Sequence, residues 1–244
     1  METLQMSLDV NGLTVQAHYG EKSVEGVIKP LLRRLSTLRN TGKRRSIAFL
    51  AAPPGAGKST FAKTLETLAA QDGETWLQCI SIDGFHMTNE ALRALVIETE
   101  SGPVRGIEKK GAPETYDTEA LRGKLSALLT EDQVYFPVYD RNLHEPVQDA
   151  ALLSAPVVLL EGNWLLFDGC GWEKLREFAD LTIFIDAEEE DLKEGLVERK
   201  MRGGKSREEA EAWFLSTDGP NIRRVKEHFT GAEIVIDRRI LAGD

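Results

Sequence analysis

The chain has 244 residues, 41% of them hydrophobic, with 30 Lys and Arg against 40 Asp and Glu for a net charge of −10. That acidic balance speaks against a general nucleic-acid surface, which needs a basic excess to neutralise phosphates. Two cysteines, Cys79 and Cys170, do not make a disulfide scaffold, and no CxxC or HxxxH spacing points to a structural metal. The opening residues lack the basic-then-apolar layout of a signal peptide, and no apolar run approaches the ~20 residues of a membrane helix. A cytoplasmic protein with no membrane partner is expected, built as one α/β domain with insertions.

In chain order, residues 22–39 carry Val24, Val27, Ile28, Leu31, Leu32, Leu35 and Leu38 at helical spacing, with Pro30 placed to kink or split the helix. "SIAFLAA" (46–52) reads as a buried strand and 57–70 as the helix that follows it. "WLQCISID" (76–83) is a second strand. Residues 98–116 are long, loop-like and rich in Gly, Pro and charge, as functional loops often are. A helix is expected over 117–129, capped by Asp117 or Thr118. "VYFPVYD" (134–140) is a short strand that Pro137 demotes to an edge or a loop. "PVVLLEG" (156–162), "LTIFIDA" (181–187) and "EIVID" (233–237) complete the strands. Residues 188–202 form a helix with acid at its start and base plus glycine at its end, as helix polarity prefers. Apolar β-branched runs alternating with helices predict a mostly parallel sheet flanked by helices.

"APPGAGKS" (52–59) has the spacing of a phosphate-binding loop, with Ala52 at its first glycine position. Gly55 and Gly57 let the loop Pro54–Thr60 turn so that the N–H groups after Pro54, that of Ala56 included, surround one hollow, and the following helix adds its positive end. Lys58 is the charge that reaches the β- and γ-phosphates, and Ser59 offers a hydroxyl to Mg²⁺. A P-loop NTPase three-layer fold is therefore expected. Glu161 ends the apolar run "VVLLEG", the pattern of a carboxylate that positions Mg²⁺, although an acid capping a neighbouring helix has the same appearance. Neither the [NT]-K-x-D segment of a GTPase nor an LSGGQ-type signature is present.

"SIDGFHM" (81–87), "KKGAPETYD" (109–117), "FPVYDRNLHEP" (136–146) and "VVLLEGNWLL" (157–166) follow one another as in the phosphoribulokinase, uridine kinase and bacterial pantothenate kinase superfamily. The chain most resembles a bacterial branch of nucleoside/nucleotide kinase proteins labelled as fructose-transport-system kinases. The resemblance runs from about Ser46 to Asp237. It implies a single kinase domain, with an N-terminal extension containing a helix (1–44), a core (45–244) and a short lid near 199–208. It implies ATP and Mg²⁺ as cofactors and a small-molecule hydroxyl acceptor: a sugar, a nucleoside or a pantothenate-like compound. In the resembling kinases the Asp of the D-G-F or D-S-F segment, here Asp83, orients that hydroxyl and accepts its proton; an Asp at this place also suits a helix cap. Phe85, His86, Tyr116, Tyr139, Arg141 and His144 are the expected acceptor contacts, with a solvated loop as the alternative for the last three. Arg199 and Arg202, three apart on one helix face, would close over the transferred group, with Gly203-Gly204 as a hinge; ordinary helix-end bases would look the same. The resembling kinases are often dimers or tetramers, so a homo-oligomer is compatible. The alternative function is a P-loop ATPase or nucleotide-dependent switch acting with a protein partner. Against it stands the second set of polar residues, Asp83, Tyr116, Arg141 and His144, which a pure switch does not need.

Overall fold

The computed structural model describes residues 3–10, 12–70, 75–99 and 102–242. It begins with an antiparallel ribbon, β1 (Leu4–Val10) and β2 (Leu13–Tyr19), in register from Leu4↔Tyr19 to Val10↔Leu13. Helical backbone follows as α1 (Glu21–Ser23), a π-turn (Val24–Ile28) and α2 (Lys29–Thr37). The interruption expected at Pro30 takes the form of that π-turn. Proline has no N–H to give and its ring crowds the carbonyl four residues back, so the wider turn just before it relieves the clash.

The core strand β3 (Ser46–Ala51) leads through the phosphate-type loop into α3 (Lys58–Ala69). Then come β4 (Leu77–Ser81), α4 (Asn89–Ala94), a ribbon of β5 (Val96–Thr99) with β6 (Gly102–Arg105), and α5 (Thr118–Thr130). A second ribbon, β7 (Val134–Asp140) with β8 (Glu145–Leu153), precedes β9 (Val157–Gly162) and β10 (Leu181–Asp186). The chain continues with α6 (Glu189–Arg202), α7 (Arg207–Trp213), a second π-turn (Phe214–Asp218), α8 (Gly219–Glu227), β11 (Ile234–Asp237) and α9 (Arg238–Ala242). The second π-turn again stands just ahead of a proline, Pro220.

The five expected core strands are all present and form one parallel sheet in the order β11-β10-β3-β9-β4. Both of its faces are covered. Along β3, Ala48 and Leu50 pack with α2, α3 and α6 on one side, while Ile47, Phe49 and Ala51 pack with α5, Phe136, Trp164 and Trp172 on the other. This is why the strands read as unbroken apolar runs. Asp117 caps α5, its Oδ1 accepting from the Ala120 N–H at 2.8 Å. Pro137 falls where the β7/β8 register shifts, so the missing N–H meets a bulge in a two-stranded ribbon rather than a central ladder. No helix among the described residues is long and apolar enough to cross a membrane.

The stretch expected as a loop over 98–116 contains the end of β5, all of β6 and two 3₁₀ turns, Gly106–Lys109 and Pro113–Thr115. The β7 ribbon lies on the turn that follows β4. A Cβ on Gly84 would stand 2.1 Å from the Pro137 carbonyl oxygen, so only glycine allows this approach. Gly84→Ala is expected to destabilise the protein by about 1–3 kcal/mol, read as a lowered denaturant midpoint. An unchanged midpoint would show that the ribbon is not seated there.

Candidate active site

The phosphate-type loop lies at the carboxyl end of β3, where the order of the sheet strands reverses. Such a switch point is the usual ligand crevice of an open α/β sheet. Gly55 and Gly57 adopt φ of +82° and +86°, which turn the loop so that α3 begins at Lys58 with its N-terminus facing the hollow. Pro54 and Ala56 are buried beneath it. Leu196 of α6 packs directly on Gly55, whose added Cβ would meet it at 2.8 Å.

Glu161 ends β9 beside this loop and is only 4% exposed. Its Oε1 accepts from the Ser59 hydroxyl at 2.7 Å, and its Oε2 lies 4.0 Å from Lys58 Nζ. That second oxygen is buried with no hydrogen-bond donor in bonding geometry among the described residues. Burial pushes the Glu161 carboxyl above the usual carboxylate range; Lys58 opposes the shift and Asp83 adds to it. A buried carboxylate oxygen without a donor, next to a serine hydroxyl and a lysine, is a donor set that fits a hard divalent cation.

Asp83 stands in the 3₁₀ turn Ile82–Phe85 directly after β4. It does not cap the turn. Ser81 does so, its hydroxyl accepting from the Asp83 N–H at 3.2 Å. The Asp83 carboxylate instead faces Arg141 of the β7/β8 turn, Nη2 to Oδ2 at 3.7 Å. A small cavity of about 90 Å³ opens here, lined by Ser81, Asp83, Val138, Tyr139 and Arg141. A second cavity of about 220 Å³ is lined by Ser59, Ser81 and Glu161, and the two share the edge of β4 from Cys79 to Ser81. The cross-strand pair Ser81↔Glu161 sets this spacing.

His86 stacks on Tyr116 with ring centroids 4.0 Å apart and meets Tyr139 edge-on at 5.3 Å. Burial lowers the His86 pKa and keeps the imidazole neutral, while it raises the Tyr116 and Tyr139 phenols. Lys110 lies 5.2 Å over the Tyr139 ring and donates to the His144 carbonyl at 2.7 Å. His144 thus takes part through its backbone; its side chain is exposed. Phe85 ends the Asp83 turn. It is 3% exposed and packs edge-on against Phe136, within the apolar cluster beneath the turn. An aromatic residue between Gly84 and His86 gives no sign in the sequence of which way it faces.

Sequence reasoning missed the anchors of the 109–117 loop. Trp164 Nε1 donates to the Gly111 carbonyl at 3.0 Å and Trp172 Nε1 to that of Pro113 at 3.2 Å. Arg224 grips Glu114 with both nitrogens, at 2.6 and 3.2 Å. The Asp117 N–H then donates to the Phe85 carbonyl, joining this loop to the Asp83 turn. Nothing in the spacing couples residues more than fifty positions apart. Arg199 and Arg202 are exposed on the last turn of α6 and make no hydrogen bond or ion pair among the described residues. Arg199 is one turn beyond Leu196, hence on the helix face that meets the phosphate-type loop. Gly203 closes α6, and Gly204 at φ +93° turns the chain into α7.

Sheet order, loop and paired carboxylates together define a P-loop kinase of the small-molecule class. A family model described as "Phosphoribulokinase / Uridine kinase family" matches residues 47–238, and the chain belongs to that family. Protein YggC of Escherichia coli (strain K12) is 42% identical over 236 residues, 96% of this chain and 95% of that one. The pantothenate kinase of Shouchella clausii is 30% identical over 170 residues, 64% of this chain and 51% of the enzyme. The crystal structure of a "putative fructose transport system kinase" from Silicibacter sp. TM1040 superimposes with a TM-score of 0.76 at 28% identity, covering 86% of this chain and 98% of that one.

Proposed function

We propose that the protein transfers the γ-phosphoryl group of ATP, with Mg²⁺, to a hydroxyl of a small polar molecule bound between Asp83 and the β7/β8 ribbon. The observation that carries this reading is the placement of two carboxylates with separate partners, Glu161 with Ser59 and Lys58, and Asp83 with Arg141, in adjoining cavities along one strand edge. A nucleotide switch needs only the first of them.

The backbone N–H groups of the loop from Gly55 to Thr60 and the start of α3 would hold the phosphate chain, with Lys58 against its outer oxygens. Ser59 and Glu161 would hold Mg²⁺, which would supply positive charge against the phosphate oxygens. Asp83 orients the acceptor hydroxyl toward the phosphorus and takes its proton as the new O–P bond forms and the bond from the γ-phosphorus to ADP breaks, ADP leaving with that electron pair. Arg141 holds Asp83 in place, and Tyr139, Tyr116 and the neutral His86 present ring edges and polar atoms to the acceptor. Arg199 and Arg202 would close over the transferred group from α6. The acceptor is a neutral hydroxyl compound of the sugar, nucleoside or pantothenate type, the setting cytoplasmic. Cys79 and Cys170 are free thiols in keeping with that setting.

The test is a screen of hydroxyl compounds with ATP and Mg²⁺, following ADP release. At least one compound is expected to raise the rate well above that in water alone. If no metabolite does so and a protein extract fraction does, the switch reading replaces this one.

A further inference from the structure

Asp218 ends the second π-turn and is only 8% exposed. Its Oδ2 is buried with no hydrogen-bond partner among the described residues. Residues five apart are neighbours in a π-turn, so Asp218 stands beside Trp213 on the same side of the chain. Lys200, in the last turn of α6, lies over the Trp213 ring with its Nζ 3.9 Å from the centroid. That ammonium is half-buried and makes no hydrogen bond or ion pair among the described residues. Burial lowers the Lys200 pKa and raises that of Asp218, and each group opposes the other's shift. The pair sits between the two halves of the site. Lys200 is one turn beyond Leu196, which packs on Gly55 of the phosphate-type loop. On the other side, the Ser216 carbonyl of the π-turn accepts from Lys109 Nζ at 3.4 Å, where the 109–117 loop begins.

We infer that Lys200 is a further catalytic cation for the transferred phosphoryl group, and that Asp218 is the positioning residue that keeps it turned into the cleft. Packing asks only for the Lys200 stem on the Trp213 indole. It gives no reason for a buried carboxylate with an oxygen left over; a cation held in reach does. Arg199 and Arg202 are exposed, so water weakens their fields. A cation partly withdrawn from water acts more strongly on the negative charge that spreads over the phosphoryl oxygens as the group passes from ADP to the acceptor. The lysine stem is flexible and its ammonium is tied by no hydrogen bond, so it can leave the ring face for those oxygens. Asp218 limits the directions open to it. The π-turn thereby becomes part of the catalytic apparatus and not only a joint between α7 and α8.

This inference rests on the kinase reading for the reaction it serves, and the experiment separates the two. Wild-type protein, Lys200→Met, Asp218→Asn and the double variant are compared by steady-state kinetics with ATP, Mg²⁺ and the best hydroxyl acceptor, by nucleotide titration and by thermal melt. Lys200→Met is expected to lower kcat about 10²–10³-fold and Asp218→Asn about 10–100-fold. Acceptor KM, nucleotide Kd and Tm should stay near wild type, because methionine keeps a stem on the indole and asparagine removes a buried charge at constant shape. The double variant should be no slower than Lys200→Met alone, since Asp218 acts through the lysine. Losses that multiply in the double variant overturn the inference, as does a wild-type kcat in Lys200→Met. A raised acceptor KM at unchanged kcat in Asp218→Asn overturns it too, by placing that carboxylate on the acceptor. A fall in Tm that accounts for the lost activity assigns the pair to packing and also overturns it. All four results leave the kinase reading standing. A wild-type protein that phosphorylates no hydroxyl compound removes the kinase reading, and this inference with it.

Discussion

Asp83→Asn is expected to lower the rate of phosphoryl transfer by about 10²–10⁴-fold, the usual contribution of a positioned general base. The variant should still fold and still bind nucleotide. Asp83 and Arg141 are a half-exposed pair, with side chains 35% and 47% accessible and 3.7 Å apart. Such pairs contribute at most about 1 kcal/mol. The Asp83 N–H bond to Ser81 does not involve the carboxylate, so the 3₁₀ turn keeps its cap. Steady-state kinetics with the best acceptor, a nucleotide titration and a thermal melt check the three parts. A variant that keeps more than a tenth of wild-type turnover would falsify the assignment of Asp83 as the base.

Glu161→Gln should separate stability from activity in opposite directions. In the free protein the Glu161 carboxyl is raised by burial, so the native state holds its proton more tightly than the unfolded chain does. The sign follows from linkage: stability falls as pH rises from the ordinary carboxylate value of about 4.3 through the raised one, because the native state then carries a buried charge. Glutamine keeps an oxygen to accept from Ser59 and never ionises. Lys58, with 15% of its side chain accessible, retains some water when its partner is lost. The variant is therefore expected to melt above wild type at pH 7–8 in chelator, with the gap closing as pH drops toward 4. Turnover falls about 10–100-fold, as for loss of a group supporting a metal, and added Mg²⁺ with ADP should raise the melting temperature of wild type more than that of the variant. A variant that melts below wild type at neutral pH without metal argues against the strained carboxylate.

The reasons some features were readable and others not are physical. The three central strands β3, β9 and β10 are buried on both faces and read as unbroken apolar runs, and the edge strands β4 and β11, though less buried, keep the same short apolar pattern. The loop between β3 and α3 follows from two glycines that need positive φ and from the lysine and serine after them. Two of the three antiparallel ribbons, β1/β2 and β5/β6, escaped because each has an exposed face and mixes polar with apolar residues. The Asn11-Gly12 pair between alternating residues was the available hairpin sign at the N-terminus; Asn11 lies outside the described residues, and Gly12 donates its N–H to Asp9 at 3.0 Å. The β7/β8 ribbon was half seen, since Pro137 marked an edge but not the partner strand. At the site, Asp83, Tyr139 and Arg141, named from the sequence, line one cavity. What stayed hidden was direction: that Phe85 turns inward, and that Lys110 meets Tyr139 across the loop. Pairing of Arg224 with Glu114 is a product of tertiary closure alone.

The two tryptophans take hold of the 109–117 loop by main-chain carbonyls, those of Gly111 and Pro113. Every amino acid presents a carbonyl in the same way. The grip on the segment therefore does not read the side chain at either point, although Gly111, at φ +102°, stays a glycine for the sake of its own backbone. A surface of this kind can drift in chemistry while staying in position. New acceptors become reachable by one change at a time, with no intermediate in which the loop comes adrift. The indoles, not the residues facing the cleft, are what such a lineage must keep.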